Sequence, residues 1–274
     1  MRFEGKTLVV PGGASGIGEA VVRLAATEGP ANLIIYDRNS EAGEKLAAEL
    51  GGPCRFTRLD ITDPSAIWEV LSEEDERNEI DHAIICAGVV APCGILGRGD
   101  SPKAAFEYFA SEFRRQTDVN LLGNGNFLAA LLQFYVRRRR GFATVVSSAA
   151  ASNQMANRTP YAAGKAGLSR LITNAANDLY VDGLPDFKNG KIVVNGVEPA
   201  RVRTALMDNN LRIIREGEGG KEAAEAALVR FRASQHSGEI MTPEFIAEQI
   251  LRANTTPHSS GTLIPLGGPA NFFE

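Results

Sequence analysis

The chain has 274 residues, enough for one domain to bury a sizeable core, and its 44% apolar and 23% charged residues are ordinary for a soluble globular protein. A formal net charge of −4 gives no reason to expect a nucleic acid or an anionic membrane as a partner. The arginine run at 137–140 is interpreted as the solvated C-terminal turn of a helix, where cations complement the helix dipole.

Apolar runs of strand length alternate with longer stretches of helical periodicity, which predicts repeated βαβ units. Strands are predicted at residues 7–10, 32–36, 55–59, 82–86, 144–147, 192–197 and 262–264. The last of them stops before Pro265, which cannot donate to a sheet ladder. Helices are predicted at 17–28, 41–50, 64–72, 104–140 with a break, 160–181 and 243–253. The predicted fold class is α/β, a doubly wound (Rossmann) parallel seven-stranded sheet with helices on both faces.

No linker-like composition or repeat divides the chain, so residues 1–274 are predicted to form a single domain. Two segments are longer than the connections of such a fold, at 91–103 and 200–240. The second holds an amphipathic pattern at 205–214, followed by a glycine-rich break at 217–220. Long loops at the carboxyl ends of parallel strands usually build the substrate side, so we expect both segments there.

Cysteines and histidines are few and scattered. Cys54, Cys86 and Cys93 lack the spacing of a disulfide framework or a zinc site, and the three histidines form no ligand pair, so no metal is predicted. The N-terminus lacks a signal-peptide pattern, and no apolar run approaches the ~18 residues of a spanning helix. We therefore expect a cytoplasmic protein with reduced thiols and no membrane partner.

A glycine-rich turn joins the first predicted strand to the first predicted helix. Gly12, Gly16 and Gly18 follow a GxxxGxG pattern, in which small residues let backbone amides and the helix N-terminus approach a pyrophosphate closely. The glycine spacing alone would also fit a tight structural turn, but the flanking strand and helix favour a nucleotide site.

Acidic residues follow the second and third predicted strands. Asp37 could accept hydrogen bonds from a ribose diol and would repel a 2′-phosphate, which favours NAD over NADP. The adjacent Arg38 acts against this preference, because it could pair with a phosphate instead. Asp60 is placed to meet the adenine edge, and an N-cap-like loop acid is an equal interpretation.

Tyr161 and Lys165 stand at YxxxK spacing, and Ser148 lies thirteen residues upstream of Tyr161. In a helix, residues four apart share one face, which would set the ammonium beside the phenol and stabilise its ionised form. A free phenol has a pKa near about 10, so a neighbouring cation would suit it to proton transfer at neutral pH. Ser148 could hold the reacting oxygen while Tyr161 gives or takes its proton.

Together these motifs resemble the short-chain dehydrogenase/reductase family, of the compact single-domain type, over nearly the whole chain. The resemblance rests on GGASGIG, Asp60-Ile61, CAG, VNLLGN, SSAAA, YAAGK and VNGVEPARVRT, in that order. It implies hydride transfer between a nicotinamide and a carbonyl or secondary carbinol carbon. The cofactor-binding residues that it implies are Gly12, Ser15, Gly16, Ile17, Gly18, Asp37, Asp60, Ile61, Ala87, Gly88, Tyr161, Lys165, Pro199, Val202 and Thr204.

The resemblance also implies a catalytic tetrad, Asn120, Ser148, Tyr161 and Lys165. Tyr161 would be the general acid/base, and Lys165 would lower its pKa and hold the ribose hydroxyls. Ser148, with Ser147 as the competing serine, would hydrogen-bond the substrate oxygen. Asn120 would anchor a proton-relaying water, although it could also simply bridge a helix kink.

Four positions depart from the family pattern without removing a reacting group. Pro11 replaces a usual threonine, Cys86 an asparagine, Ala200 a glycine and Leu266 an aspartate. We expect these changes to alter loop geometry and cofactor affinity. Glu198 is expected near the nicotinamide side, where it could shape substrate choice.

The predicted function is that of an NAD-dependent oxidoreductase interconverting a secondary alcohol and a ketone, with NADP as the less favoured cofactor. Apolar residues around the expected pocket predict a small, largely hydrophobic substrate, cyclic or aromatic; they are Val89, Val90, Ala149, Ala150 and Met155. The alternative is a non-catalytic NAD(H)-binding sensor on the same fold, although such proteins tend to lose the tyrosine or the lysine.

Assembly is implied by the resemblance alone. Family members commonly pair the helices found here at 105–138 and 160–181, which predicts a homotetramer or a homodimer. An apolar helix face fits such pairing and fits core packing equally; it comprises Leu121, Leu122, Leu128, Leu131 and Leu132.

Overall fold

Seven parallel strands form one sheet in the computed structural model, which describes residues 1–181, 191–204, 207, 211–212, 220–233, 240–256 and 260–266. The strands span Thr7–Pro11 (β1), Asn32–Asp37 (β2), Cys54–Arg58 (β3), His82–Ile85 (β4), Gly141–Val146 (β5), Ile192–Pro199 (β6) and Leu263–Leu266 (β7). They lie in the order β3-β2-β1-β4-β5-β6-β7. The predicted α/β fold with a doubly wound parallel sheet is confirmed.

Helices connect the strands and cover both faces of the sheet. They span Gly16–Ala26 (α1), Ser40–Leu50 (α2), Pro64–Asn78 (α3), Pro102–Thr117 (α4), Asn124–Arg138 (α5), Thr159–Val181 (α6), Gly220–Ala233 (α7) and Pro243–Thr255 (α8). A π-helical turn, Asp118–Gly123, joins α4 to α5 and accounts for the predicted break in the long helical stretch. None of the helices in the described ranges has the length and apolarity needed to cross a membrane.

Alternate residues along the strands pack into two separate hydrophobic cores, one on each face of the sheet. Leu8 and Val10 of β1 pack with α1, α2 and α8 on one face of the sheet, whereas Val9 packs with α3, α5 and α6 on the other. Side chains of a strand point alternately to the two faces of the sheet. Because both faces are buried here, the strands read as nearly continuous apolar runs in the sequence.

The direction of winding reverses between β1 and β4. β1 pairs with β2 on one side, where Val9 lies opposite Ile34, and with β4 on the other, where Leu8 lies opposite His82. In a doubly wound sheet this reversal opens a crevice beyond the carboxyl ends of the strands, where ligands bind.

The largest differences from the predicted helices are the longer α3 and the additional helix α7. α3 runs to Asn78 instead of ending at residue 72, because Glu74 and Asp75 are buried as partners of arginines rather than exposed. α7 lies inside the segment 200–240 that was predicted as a loop. The glycines at 217–219 and most of the 205–214 pattern fall outside the described residues.

The final strand was predicted to stop before Pro265, which is wrong. β7 continues to Leu266 with Pro265 exposed. It pairs only with β6 in the described sheet, and at such an edge position a proline leaves no ladder hydrogen bond unmade.

The arginine run at 137–140 was predicted to be solvated, but it is only partly so. The Arg138 side chain is only 12% exposed and forms a salt bridge with Asp75 at the end of α3. Arg137 reaches the same carboxylate at 3.3 Å. The prediction is wrong for Arg138, because the buried acidic end of α3 requires a cation beside it.

Candidate active site

A cavity of about 670 Å³ opens at the carboxyl ends of the central strands. Every residue predicted to bind the cofactor lines it, and so does Ser148. Asn120, the remaining member of the predicted tetrad, is fully buried and lies outside the lining. The sheet therefore gathers at one place residues that are far apart in the sequence.

The glycine turn after β1 is too tight for side chains. A Cβ at Gly12 would lie 2.5 Å from the Ala87 nitrogen, and one at Gly18 would lie 2.0 Å from the Gly12 oxygen. Gly16 has a φ of 58°, which favours glycine. Ser15, which precedes α1, makes no side-chain hydrogen bond to the helix, so the first-turn amides have no serine cap. Such a turn fits the pyrophosphate of a dinucleotide.

Asp37 closes β2 beside this turn. Its carboxylate accepts hydrogen bonds from the backbone nitrogens of Ala14, at 3.2 Å, and Asn39, at 3.0 Å. These bonds fix the carboxylate at the wall of the cavity, next to the exposed side chain of Arg38. The position fits the predicted contact with a ribose diol.

Asp60 lies in the loop after β3, where its side chain lines the cavity. Hydrogen bonds from the backbone and hydroxyl of Thr62 lower the pKa of Asp60, with a smaller contribution from the charge of Arg38. The cap of α3 is Asp63, which accepts from the first-turn amides, so Asp60 itself is not the N-cap.

Lys165 lies on the first turns of α6, with 3% of its surface exposed. Its Nζ donates a hydrogen bond to the carbonyl oxygen of Val146, at the end of β5, over 2.7 Å. Burial lowers the pKa of Lys165 to about 8. The ammonium is thus held between a helix and the end of a strand, at the wall of the cavity.

Tyr161 lies one helical turn before Lys165. Burial raises the pKa of Tyr161, opposed by a hydrogen bond with Ser148 and then by the positive charge of Arg158. The effect of Lys165 on this phenol stays a prediction. Arg158 is a cation beside Tyr161 that the sequence reasoning missed.

The two candidate serines have different partners. Ser147 Oγ donates to the Lys165 carbonyl oxygen at 3.1 Å and lies 2.7 Å from Ser169 Oγ, so it ties β5 to α6. Ser148 Oγ instead accepts a hydrogen bond from the Ala150 nitrogen at 3.1 Å and lies near enough to the Tyr161 phenol to lower its pKa. This geometry favours Ser148 as the serine that meets a substrate.

Glu198 does not lie where the sequence reasoning expected it. Its carboxylate accepts a hydrogen bond of 2.7 Å from Ser169 on α6, and it does not line the cavity. Residues of β6 alternate between the two faces, and Val197 packs on the opposite face from Glu198. Glu198 therefore does not reach the cavity directly, and an influence of this residue on substrate choice stays a prediction.

Asn120 lies in the π-helical turn and holds the loop after β4. Its side chain accepts from the nitrogen of Val89 at 2.9 Å and donates to the oxygen of the same residue at 2.8 Å. A Cβ at Gly88 would lie 3.3 Å from Asn120 Oδ1 and 3.8 Å from Lys165 Nζ. Asn120 thus ties the π-helical turn to the loop after β4, close to Lys165, and its predicted water stays a prediction.

The substrate side is less uniformly apolar than predicted. Val89, Val90 and Met155 line the cavity, whereas Ala149 and Ala150 form a short 3-10 turn outside its lining. Met207 adds to the apolar wall, and the arginines that also line the cavity are Arg38, Arg115, Arg158 and Arg201. The sequence held a signal for two of these arginines. Arg158 precedes Tyr161 by three residues, and Arg201 lies inside the motif VNGVEPARVRT.

Known proteins match this fold and site. The family model described as short chain dehydrogenase matches residues 6–212. Sex determination protein tasselseed-2 of Zea mays is 33% identical over 217 residues, which cover 77% of this chain and 59% of that protein. The 7alpha-hydroxysteroid dehydrogenase of Escherichia coli (strain K12) is 30% identical over 207 residues, 74% of each chain. A crystal structure of levodione reductase, 24% identical, has a TM-score of 0.79 over 97% of both chains, which shows the shared fold.

The chain therefore belongs to the short-chain dehydrogenase family, whose members bind a nicotinamide cofactor, NAD or NADP. It is an oxidoreductase of that family.

Proposed function

We propose that the protein is an NAD-dependent oxidoreductase that interconverts a secondary alcohol and a ketone. The observation that carries the proposal is one cavity that joins the glycine turn to the Tyr161–Ser148 pair. When bound there, a nicotinamide cofactor donates or accepts the hydride. The protein supplies the geometry and the proton.

The residues at the cavity can carry out the proton half of this reaction. In reduction, the carbonyl carbon gains the hydride and its oxygen gains the phenol proton of Tyr161. Ser148 holds that oxygen by a hydrogen bond, and the charge of Lys165 favours the phenolate left behind. In oxidation, the Tyr161 phenolate takes the carbinol proton as the hydride leaves the carbon.

The proposed preference for NAD is supported by Asp37. Backbone amides fix its carboxylate at the cavity wall, where it would accept ribose hydroxyls and repel a 2′-phosphate. The side chains of Val89, Val90 and Met155 support a substrate with a largely apolar body.

Exposed apolar side chains on one face of α4 support a proposed homodimer or homotetramer. Phe106 is 67% and Phe113 40% exposed, and seven residues apart they share a face of the helix. Leu128 and Leu131, by contrast, belong to the core. Sedimentation velocity of wild type and of Phe106→Glu tests the assembly: a monomeric wild type would overturn it, and a dissociated variant would support it.

The test of the activity is oxidation and reduction at 340 nm on a panel of secondary alcohols and ketones, with NAD(H) and NADP(H) in parallel. We expect NAD-linked turnover that falls by about 100-fold or more in Tyr161→Phe, with NADH binding retained. Tyr180→Phe, which alters an exposed tyrosine further along α6, is the matched control and should leave turnover unchanged. A wild type that binds NADH yet turns over nothing in the panel would overturn the proposal and favour the sensor.

A further inference from the structure

Two arginines share the cavity with Tyr161. Arg158 directly precedes α6 and lies three residues before Tyr161, and Arg201 follows β6. Both line the cavity. Burial lowers the pKa of Arg158, and the charge of Arg201 lowers it further, so the two guanidinium groups lie within electrostatic reach of each other. Two like charges that line one cavity favour the binding of an anion between them.

The backbone holds Arg158 in a fixed place. Arg158 forms an isolated β-bridge with Cys93, whose nitrogen donates to the Asn157 oxygen at 2.9 Å and whose oxygen accepts from Thr159 at 3.0 Å. Asn157 adopts a φ of 55°, a left-handed conformation that asparagine tolerates better than most residues. The segment after β4 thus fixes the backbone of Arg158 in the segment that leads into α6 and Tyr161.

A second bridge holds Arg201. Its carbonyl oxygen accepts from the Met241 nitrogen at 3.1 Å, and the Met241 oxygen accepts from Arg203 at 2.9 Å. Val202 between them forms the isolated bridge with Met241. Both arginines therefore project from backbone that is paired with another segment of the chain.

Charge compensation separates Arg158 from two of the other arginines around the cavity, Arg115 and Arg38. Arg115 forms a salt bridge of 2.7 Å with Glu112, and Arg38 lies near Asp60. Within the described part of the chain, no carboxylate lies within salt-bridge distance of Arg158, whose guanidinium donates to the Asn157 oxygen at 2.9 Å. Most of its five N–H donors are therefore open to a ligand.

We propose that Arg158 and Arg201 bind an anionic oxygen group, a carboxylate or a phosphate, on a substrate whose apolar body lies against Val89 and Val90. The planar guanidinium fork matches both anions, which accept paired hydrogen bonds. The inference rests on the proposed function and deepens it, because an anion held there would set the substrate's reacting carbon beside Tyr161. The substrate class is then a keto or hydroxy compound with an acidic group.

The direct test is titration calorimetry of the NADH-saturated enzyme with benzoate, phenyl phosphate and the neutral benzamide. We expect at least one anion to bind about tenfold or more tightly than benzamide, as charge-assisted hydrogen bonds imply. Tighter benzoate would identify a carboxylate site, and tighter phenyl phosphate a phosphate site. Equal affinity for the three probes would overturn the proposal.

Variants identify the residues responsible. Arg158→Met and Arg201→Met should each abolish the preference for the anion, and Arg158→Lys should restore part of it. Arg203→Met is the matched control, because Arg203 is exposed beside Arg201 and does not line the cavity. An anion preference that survives both methionine variants would overturn the assignment. So would a loss of NADH affinity as large as the loss of benzoate affinity, since the arginines would then serve the cofactor.

The binding readout is independent of turnover, so failure of the two proposals can be told apart. Anion binding that depends on Arg158, without turnover of any anionic or neutral ketone, would refute the oxidoreductase and support the anion site. Turnover of neutral ketones at the same kcat/KM as their carboxylate analogues would refute the anion site and support the oxidoreductase. Thermal unfolding of each variant shows that it is folded before it is titrated.

Discussion

Two polar clusters are buried in the same sheet, and they differ in what completes their hydrogen bonds. The first lies around His82, near the start of β4, where Asn254 Oδ1 pairs with the ring nitrogen at 2.8 Å. The Asn254 amide also donates to the oxygens of Ala83 and Phe142 and to the hydroxyl of Thr144. The protein itself thus supplies the partners of this cluster.

The second cluster lies at the cavity, where polar side chains keep one side towards a ligand. Lys165 has its bond to the Val146 oxygen and Ser148 its bond from the Ala150 nitrogen, yet the side chains of Lys165, Ser148 and Tyr161 all line the open cavity. A polar cluster whose hydrogen bonds are all made within the protein stabilises the fold. A cluster whose hydrogen-bonding groups remain available to a ligand serves function and lowers stability. The four predictions below test this division, from the largest expected effect to the smallest.

Lys165→Met should reduce turnover by about 100-fold or more, because the phenolate of Tyr161 loses its neighbouring charge. The free energy of unfolding should change by less than about 1 kcal/mol, since removing a buried charge offsets the lost bond to Val146. Steady-state kinetics and urea unfolding measure the two effects. Lys103→Met, at a lysine with 83% of its side chain exposed, is the control and should change neither. A Lys165→Met variant that keeps its turnover but loses stability would contradict the assignment of the cavity cluster to function.

Asn254→Leu should lower the free energy of unfolding by about 3 kcal/mol, because it leaves the partners of Asn254 buried without bonds. Turnover per folded molecule should stay near that of wild type, since the cluster lies away from the cavity. Asn126→Ala, at an exposed position of α5, should cost less than about 0.5 kcal/mol. An Asn254→Leu variant with the wild-type free energy of unfolding would show that the cluster around His82 does not stabilise the fold.

Stability should depend on the charge state of His82, which lies between the rings of Phe3 and Phe142. Burial lowers the pKa of His82 from 6.5 to about 4. The unfolded chain takes up this proton below pH 6.5 and the folded chain only near pH 4, so stability falls as the pH drops between them. The share from His82 is about 3 kcal/mol. Urea unfolding from pH 8 to pH 4 should show a steeper loss in wild type than in His82→Gln, and parallel profiles would contradict this assignment.

Asp37→Asn should shift cofactor preference by about tenfold towards NADP, measured as the ratio of the two kcat/KM values. The change removes the charge that would repel a 2′-phosphate and leaves Arg38 beside it. Asp178→Asn, on the exposed side of α6, controls for the loss of one negative charge. An unchanged ratio would assign the preference to other residues of the cavity.

Local patterns in the sequence were enough to predict most of the fold and part of the site. The strands follow from apolar runs, since a parallel sheet buries both faces. The turn at Gly12–Gly18 and the spacing of Tyr161 and Lys165 depend on a few neighbouring residues, so each is readable without the rest of the chain. The missed helix α7 and the continuation of β7 through Pro265 depend on neighbours that the local pattern does not contain.

The sequence by itself determined the parallel sheet, the glycine turn and the residues of the YxxxK pair, because backbone periodicity and side-chain chemistry act over a few positions. Only the tertiary structure decided that Glu198 faces α6, that Arg138 is buried against Asp75, and that Arg158 and Arg201 line the same cavity. The exposure and the partners of a charged side chain depend on which distant segment packs against it, and the chain order does not contain that information.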